Sequence, residues 1–262
     1  MLASRIFEGA AFYYARYQPE YPHELFKSLR DQLALTPESR LLDLGCGTGQ
    51  IGLGLAPSIG HVDCVDPNRG MLDEANRLSA ERGLTNISLF ESMAEEMDVA
   101  LAGYNGATIA SAFHWMDRSL VMETLDQRLL SSGKVSIITR VRDEAAPNDW
   151  WNRIWDFVHQ WWGGYFPAGR EDRRRELVMS NEDILRSSRF PNITRQNIPY
   201  TVSWTAETLV KYIYSTSKAS PGVLTERRDQ FEEQLRSLLD QVSPAGTFVE
   251  RCHLDILYAA RH

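Results

Sequence analysis

The chain is predicted to be an α/β protein: a seven-stranded, mostly parallel sheet with helices on both faces. Three observations predict it. Short apolar runs alternate with helical-period segments over residues 41–140. The first run leads into a glycine-rich turn, RLLDLGCGTGQ, with Gly45, Gly47 and Gly49. An acid sits at the end of each of the first two runs, Asp43 and Asp66.

The elements follow in order. RLLDLGC is a buried parallel strand running into glycines. TGQIGLGLAPS is a helix stopped near Pro57, and HVDCVD is the second strand. RGMLDEANRLSAERG is a helix with Met71, Leu72, Ala75 and Leu78 on one face and Gly83 as its stop. NISLFES and GATIASAF are the third and fourth strands. RSLVMETLDQRLLSSG reads as a helix closed by Gly133, and KVSIITR as the fifth strand. Next comes a segment holding five of the seven tryptophans, DWWNRIWDFVHQWWGG, a helix bounded by Pro147 and Gly163–Gly164. Trp151, Trp155, Val158 and Trp162 share one face, and Trp150, Ile154, Phe157 and Trp161 the adjacent one. A helix apolar over that much of its circumference needs cover on two sides. EDRRRELV reads as a solvated charged face. SNEDILRSSRF is an N-capped helix, ITRQNIPYTVSW a strand, and TAETLVKYIYSTS and VLTERRDQFEEQLRSLLDQV amphipathic helices. CHLDILYAAR closes the chain as a reversed strand paired with 193–204.

These elements divide the 262 residues into N-terminal lid helices (1–35), a ligand-binding core (36–142), a tryptophan-rich cap (143–180) and the C-terminal part of the sheet (181–262), all within one domain. Composition narrows the function. The formal charge of −7 argues against a broad nucleic-acid footprint, which needs clustered Lys and Arg. Cys46, Cys64 and Cys252 are too few and too far apart for a disulfide framework or a metal knuckle, so a reduced cytoplasmic setting and no metal are expected. No signal peptide and no bilayer-spanning stretch is read, so no membrane partner is expected. The oligomeric state is left open between monomer and homodimer.

The glycine turn carries the chemistry. Glycines at a strand-to-helix turn let backbone approach a ligand without Cβ interference, and the helix start beyond offers free N–H groups. A phosphate loop would need a Gly-Lys-Ser/Thr ending, which is absent. A dinucleotide turn would need GxGxxG, whereas the third glycine arrives one residue early and Gln50 follows it. Asp43 would repel a pyrophosphate and suit an ammonium or sulfonium group. Asp66 is placed to accept from ribose hydroxyls. A ribose, a positive charge and no phosphate describe S-adenosylmethionine.

LLDLGCGTGQIGLGLA followed by VDCVDPNRGMLDEA resembles the first two cofactor motifs of class I S-adenosylmethionine-dependent methyltransferases. ESMAEEM, SAFHWMD and the N-terminal YARYQPEYP extend the likeness over residues 12–140 and are similar to the trans-aconitate-methyltransferase-like, small-molecule branch. Gln18 departs from the arginine usual in that N-terminal segment. The resemblance implies a Rossmann-like sheet. It implies that Asp43, Gly45, Cys46, Gly47 and Gly49 line the methionine end, and that Asp66 binds the ribose, with Pro67 and Met71 beside it. Met93, Ala94 and Glu95 would flank adenine, Ser111 and Phe113 would border the cofactor, and Tyr14 and Tyr17 would belong to a lid near the methionine moiety.

The acceptor would be a small molecule methylated at oxygen, nitrogen or carbon, with a carboxylate as the narrower expectation. His114 is read either as a general base or as a structural residue shaping the pocket. Trp115, Trp151 and Trp155 are expected at the substrate pocket, packing being the alternative for the tryptophans of the cap. NIPY, residues 197–200, is similar to an amino-methyltransferase signature but lies far from strand four, where that signature belongs. Two other readings stand beside this one: a protein that binds S-adenosylmethionine without transfer, and an NAD-dependent dehydrogenase, which Gln50 and Asp43 disfavour.

Overall fold

The computed structural model describes residues 7, 9–97, 102–143, 149–163 and 179–262. Seven strands form one sheet: β1 Arg40–Leu44, β2 His61–Asp66, β3 Ile87–Glu91, β4 Tyr104–Ala110, β5 Leu129–Arg142, β6 Asn192–Thr205 and β7 Thr247–Ala260. Their order is β3-β2-β1-β4-β5-β7-β6. Pairings among β1 to β5 are parallel, and the in-register set Leu42↔Asp63, Leu42↔Ala107 and Ala107↔Val135 runs through the middle of the sheet. β7 is reversed. Tyr200 accepts from Cys252 while Asn192 donates to the Arg261 carbonyl, so residue numbers rise along β6 as they fall along β7. Arg142 meets Glu250 and Leu130 meets Arg261, which reverses β7 against β5 as well. The mostly parallel sheet with a reversed final strand is as the sequence predicts.

The helices among the described residues are α1 Ala11–Tyr17, α2 His23–Gln32, α3 Gln50–Leu55, α4 Arg69–Glu81, α5 Arg118–Arg128, α6 Asp149–Trp161, α7 Asn181–Ser187, α8 Ala206–Tyr214, α9 Pro221–Leu224 and α10 Arg228–Val242. Their starts follow local chemistry. Asn68 and Asp117 accept from the Met71 and Leu120 N–H groups to cap α4 and α5, and Ser180 with Asp183 forms a reciprocal capping box at α7.

One boundary differs from the sequence reading. α5 stops at Arg128, and residues 129–133, expected to finish that helix, already belong to β5. The pairing shifts between Tyr104↔Leu129 and Gly106↔Lys134, and Gly133 lies in that irregularity. A Cβ on Gly133 would lie 2.9 Å from the Leu129 Cβ and 3.1 Å from the Tyr104 carbonyl oxygen. The glycine therefore admits a strand bulge and does not stop a helix. Pro147, Gly164 and the charged stretch 171–178 lie outside the described residues.

The chain clusters into two compact units. The glycine-loop unit comprises residues 20–140, 177–198 and 254–262, and the tryptophan unit 1–19, 141–176 and 199–253. Leu42, Leu44, Ile109, Val135 and Ile137 centre the core of the former, under Phe113, Leu125 and Phe190. Trp151, Ile154 and Val158 of α6 pack with Tyr212, Ile213, Phe231 and Leu235 in the latter. The buried stripe on α6 thus takes Trp151 and Val158 from one expected face and Ile154 from the other, and the remaining rings flank it. No described helix is long and apolar enough to cross a membrane.

Candidate active site

β1 lies between β2 and β4, so the chain turns to opposite sides of the sheet after β1 and β4. In open parallel sheets the crevice at that switch point is where ligands bind. The glycine loop, Asp66 and Ser111 all lie at this carboxyl edge.

The loop is built for close approach. Gly45, Gly47 and Gly49 have φ of 62°, 56° and 81°. At Gly45 a Cβ would sit 2.5 Å from the Ala112 Cβ, so a side chain there is excluded by space as well as by backbone. Cys46 is in the loop with its N–H on the Val65 carbonyl (3.1 Å). Hydrogen bonding to Cys64, then burial, pushes its thiol well above the ordinary range, so it is an inert neutral group. The Thr48 hydroxyl is buried with no hydrogen-bond partner in the protein.

Asp43 is 1% exposed, and both its oxygens are engaged. Oδ1 accepts from the Thr108 hydroxyl (2.8 Å) and Oδ2 from the Gly52 N–H (3.0 Å). A Cβ at Gly52 would come within 2.6 Å of the Cys64 sulfur, so only glycine brings α3 this close to β2 and Asp43. Burial pushes the Asp43 carboxyl up to about 7, against the lowering effect of Thr108 and Gly52, and the Asp66 charge adds to the rise. Asp43 therefore ties β1 to β4 and α3, and its charge acts on a ligand through space.

Asp66 holds the loop from the other side. Oδ2 accepts from the Gly47 N–H (2.9 Å) and Oδ1 from the Asn68 N–H (2.8 Å). Burial raises its carboxyl above the ordinary value, opposed by these two N–H groups. Each oxygen keeps a second lone pair for a hydroxyl. Pro67 follows half-buried and Met71 is buried under the first turn of α4.

Beyond β3, Met93 is half-buried and Ala94 buried. Glu95 Oε1 accepts from the Asp117 N–H, and its Oε2 is buried without a hydrogen-bond partner. Buried acceptors without partners are rare in folded proteins and point to a ligand that completes them. Ser111 is exposed, with φ of 52°, and donates its N–H to the Ile138 carbonyl (2.9 Å). Phe113 is buried in the core of this unit. His114 and Trp115 are half-buried and tilted against each other, with centroids 5.1 Å apart. Tyr21 was not singled out by sequence reasoning, and its hydroxyl hydrogen-bonds the Ser111 side chain. Nor was Thr108, whose role follows only from the register Asp43↔Thr108.

The remaining expected residues lie in the tryptophan unit. Tyr14 is half-buried on α1, and Tyr17 packs beside Tyr13 (6.3 Å between centroids). Gln18 donates to the Ser215 hydroxyl (2.9 Å). Trp151 is 3% exposed, with the Arg142 guanidinium 3.6 Å over its ring, and Lys218 lies 5.1 Å over Trp155. Both rings already hold a cation of the chain itself.

Comparison with known proteins supplies what the geometry leaves general. The family described as "Methyltransferase domain" matches residues 41–132, from β1 into β5. The chain is a class I S-adenosylmethionine-dependent methyltransferase. Its cofactor is S-adenosylmethionine, and the donor set fits that group: an open glycine cradle, Asp66 lone pairs for a diol, an unpartnered Glu95 oxygen and the Asp43 carboxyl, which a cation would favour in its ionised form. An uncharacterized methyltransferase of Mycobacterium tuberculosis is 26% identical over 212 residues, covering 80% of this chain and 76% of its own. Aklanonic acid methyltransferase DauC of a Streptomyces species is 34% identical over 95 residues, 35% of this chain and 43% of its own. Among solved structures, one described as a type II methyltransferase of Anaeromyxobacter dehalogenans shares the methyltransferase fold with TM-score 0.60 at 20% identity, covering 94% and 98% of the two chains.

Proposed function

We propose that the methyl acceptor is a small molecule, bound against the loop after β4, with a carboxylate oxygen as the narrower assignment and another oxygen, a nitrogen or a carbon as the wider one. The observation that carries this reading is the makeup of residues 111–115: an exposed Ser111 hydroxyl beside a half-buried imidazole and indole. Such a surface suits a compact acceptor with an apolar body and one polar group. The charge of −7 opposes a polyanionic substrate. A relative named for aklanonic acid supports the small-molecule reading. A relative named for a 23S ribosomal RNA uracil, from Klebsiella pneumoniae, aligns with 28% of this chain and 17% of itself, too little to carry an acceptor across.

When bound, S-adenosylmethionine supplies a methyl group already activated by a sulfonium. The residues of the chain then hold, orient and exclude water. In this reading Asp66 accepts from the ribose diol, Glu95 Oε2 faces the adenine side, and the backbone of Gly45–Gly49 lies along the amino-acid tail. Of the three tryptophans expected at the acceptor, Trp115 is the one assigned there, while Trp151 and Trp155 serve the core of their own unit. A carboxylate acceptor is already a nucleophile and needs no base, so His114 shapes the pocket. Three free cysteines fit a cytoplasmic location.

The test is transfer of labelled methyl from S-adenosylmethionine to fractions of a cell extract. Label is expected in the low-mass filtrate, in a base-labile ester. Label confined to RNA or protein would sink the small-molecule reading, and base-stable label in the filtrate would move the reaction to nitrogen, carbon or an ether oxygen.

A further inference from the structure

Within the glycine-loop unit, the face formed by α5 and α7 carries a groove that shares no residue with the candidate active site. Its volume is about 320 Å³. Met122 and Ile184 form the floor, with Ser119 and Glu123 on the α5 wall and Ser187, Ser188 and Arg189 on the α7 wall. The two helices are fixed to each other: the Arg118 guanidinium donates to the Met179 carbonyl (2.9 Å) and to the Asn181 side chain (3.2 Å). Leu120, next to Ser119 on α5, is 43% exposed, and Met179, just before α7, is 39% exposed. They are two of the five large apolar side chains left in water among the described residues. Exposed apolar side chains gathered at a groove mark a contact surface.

The polar groups of this face decide which partner it fits. Three hydroxyls are turned back onto their own helices: Thr124 donates to the Leu120 carbonyl (2.9 Å), Ser187 to Ile184 (3.0 Å) and Ser188 to Leu185 (2.7 Å). Water can leave them without orphaning a donor. Most charges are also engaged within the unit. Asp126 is held by Arg261 (2.7 Å), Glu182 by Arg186 (2.6 Å), and Asp183 by the Ser180 capping box. Two charges are left over. Glu123 has no bonded partner among the described residues, and Arg189 is 80% exposed, with Asp126 at 3.7 Å. One is an anion and the other a cation, on opposite walls of one groove. Together with an apolar knob beside an apolar hole, they make the face complementary to itself. A two-fold axis across it sets Glu123 against Arg189 of a second copy, twice over, and places each Leu120 in the other copy's groove. On a chain of formal charge −7, such a face lets two copies meet without local like-charge repulsion.

We propose that the α5–α7 face is the interface of a homodimer, with Leu120 of each copy seated on Met122 and Ile184 of the other, and Glu123 paired with Arg189 across the two-fold axis. The contact closes after two copies because knob and hole share one patch; a hole elsewhere on the molecule would give open chains. The interface is independent of the cofactor and of the acceptor.

Sedimentation velocity on the full chain, from about 1 to about 100 µM, tests this, and a monomer–dimer equilibrium within that range is expected. Leu120→Asp should weaken dimerisation by about a hundredfold, because the two-fold axis counts each lost contact twice. Glu123→Arg and Arg189→Glu each create two like-charge pairs across the axis, and each should weaken it by about tenfold or more. Combining Glu123→Arg with Arg189→Glu rebuilds both pairs in the opposite sense and should return the dimer to within about threefold of wild type. All four variants should bind S-adenosylhomocysteine as wild type does, which shows that they are folded. A wild-type chain that stays monomeric at about 100 µM overturns the proposal. So does a dimer indifferent to the three single variants, which puts the interface elsewhere. A double variant as weak as the single ones overturns it too, and assembly beyond the dimer would mean that knob and hole do not share one closed contact.

Discussion

In the tryptophan unit, cationic groups are spent on the chain's own rings. Among its described residues, the buried side-chain atoms left without a hydrogen-bond partner, Trp161 Nε1 and Arg228 Nε, are donors among aromatic rings. Arg142 covers Trp151, Lys218 covers Trp155, and Arg227 lies 4.5 Å over Trp161. Glu250 is fully buried, yet it accepts from Arg142 (2.9 Å) and from the Trp204 indole (3.1 Å). In the glycine-loop unit, the Thr48 hydroxyl and one Glu95 oxygen are buried with no hydrogen-bond partner. Asp66 holds the loop with one lone pair of each oxygen and keeps the other. Aromatic density is therefore a poor guide to a ligand. Unused hydrogen-bonding capacity next to strained backbone is a better one.

Trp151→Ala is the strongest test of that contrast. Removing a buried indole from a packed core costs about 3–5 kcal/mol. Urea denaturation should show a loss of that size, and the loss should include the Arg142 face contact. The folded variant should keep its affinity for S-adenosylhomocysteine within about twofold. If affinity falls in step with stability, the tryptophan unit is part of the binding apparatus and the contrast fails.

Gly45→Ala should reverse the pattern, with a small change in stability and a large one in binding. The added Cβ meets Ala112 at 2.5 Å, on a backbone with φ of 62°. Left-handed backbone costs an alanine about 1 kcal/mol, and relief of the overlap must displace the loop. An affinity loss of about a hundredfold for S-adenosylhomocysteine is expected by calorimetry. Adding Ala112→Gly removes the facing methyl and should recover part of it. Binding within about threefold of wild type would mean that the loop does not carry the cofactor.

The same contrast shows how much could be read without coordinates. β1 to β4 and their helices were legible because short apolar runs are punctuated by glycines, acids and caps such as Asn68 and Asp117. Residues 129–133 were not, because two leucines before a glycine look the same at a helix end and in a bulged strand. The loop glycines and Asp66 were legible because their role is local backbone chemistry. Asp43 was legible as an acid at the ligand edge but not as a tie. Its partners Thr108 and Gly52 come from β4 and α3, and only the register brings them together. Tyr21 lies inside the segment YARYQPEYP, but its hydrogen bond to Ser111 is tertiary and no spacing in the sequence shows it. The tryptophan helix was legible as a helix needing cover, but the sequence alone did not show that the cover included its own arginines.

Asp43 also makes the comparison sensitive to pH. Its carboxyl titrates near 7 in the folded protein, above its unfolded value. The sign for stability follows: the folded state holds this proton more tightly, so the contribution is complete below the unfolded value and is lost as pH rises through about 7. Binding of a cationic ligand runs the other way, because the ligand favours ionised Asp43. Affinity for S-adenosylmethionine should therefore rise about tenfold from about pH 6 to about pH 7.5. Asp43→Asn should bind more weakly and lose most of that slope. An equally steep slope in the variant would place the titrating group elsewhere.

The smallest effect is expected at His114, and it decides between two readings of the loop after β4. A base that accepts a proton during transfer should cost about a hundredfold or more in turnover when removed, and should bend the rate profile near the imidazole range. A residue that only shapes the pocket against Trp115, at 5.1 Å, should cost a few-fold in KM and leave the profile of kcat unchanged. With a carboxylate as nucleophile there is no proton to remove, so His114→Ala is expected to give the second outcome, with S-adenosylhomocysteine affinity within about twofold of wild type. His114→Gln, which keeps a polar group of similar length, should then recover the KM. A large loss in kcat that His114→Gln does not recover would make the imidazole a base, and the acceptor would have to be a hydroxyl or an amine.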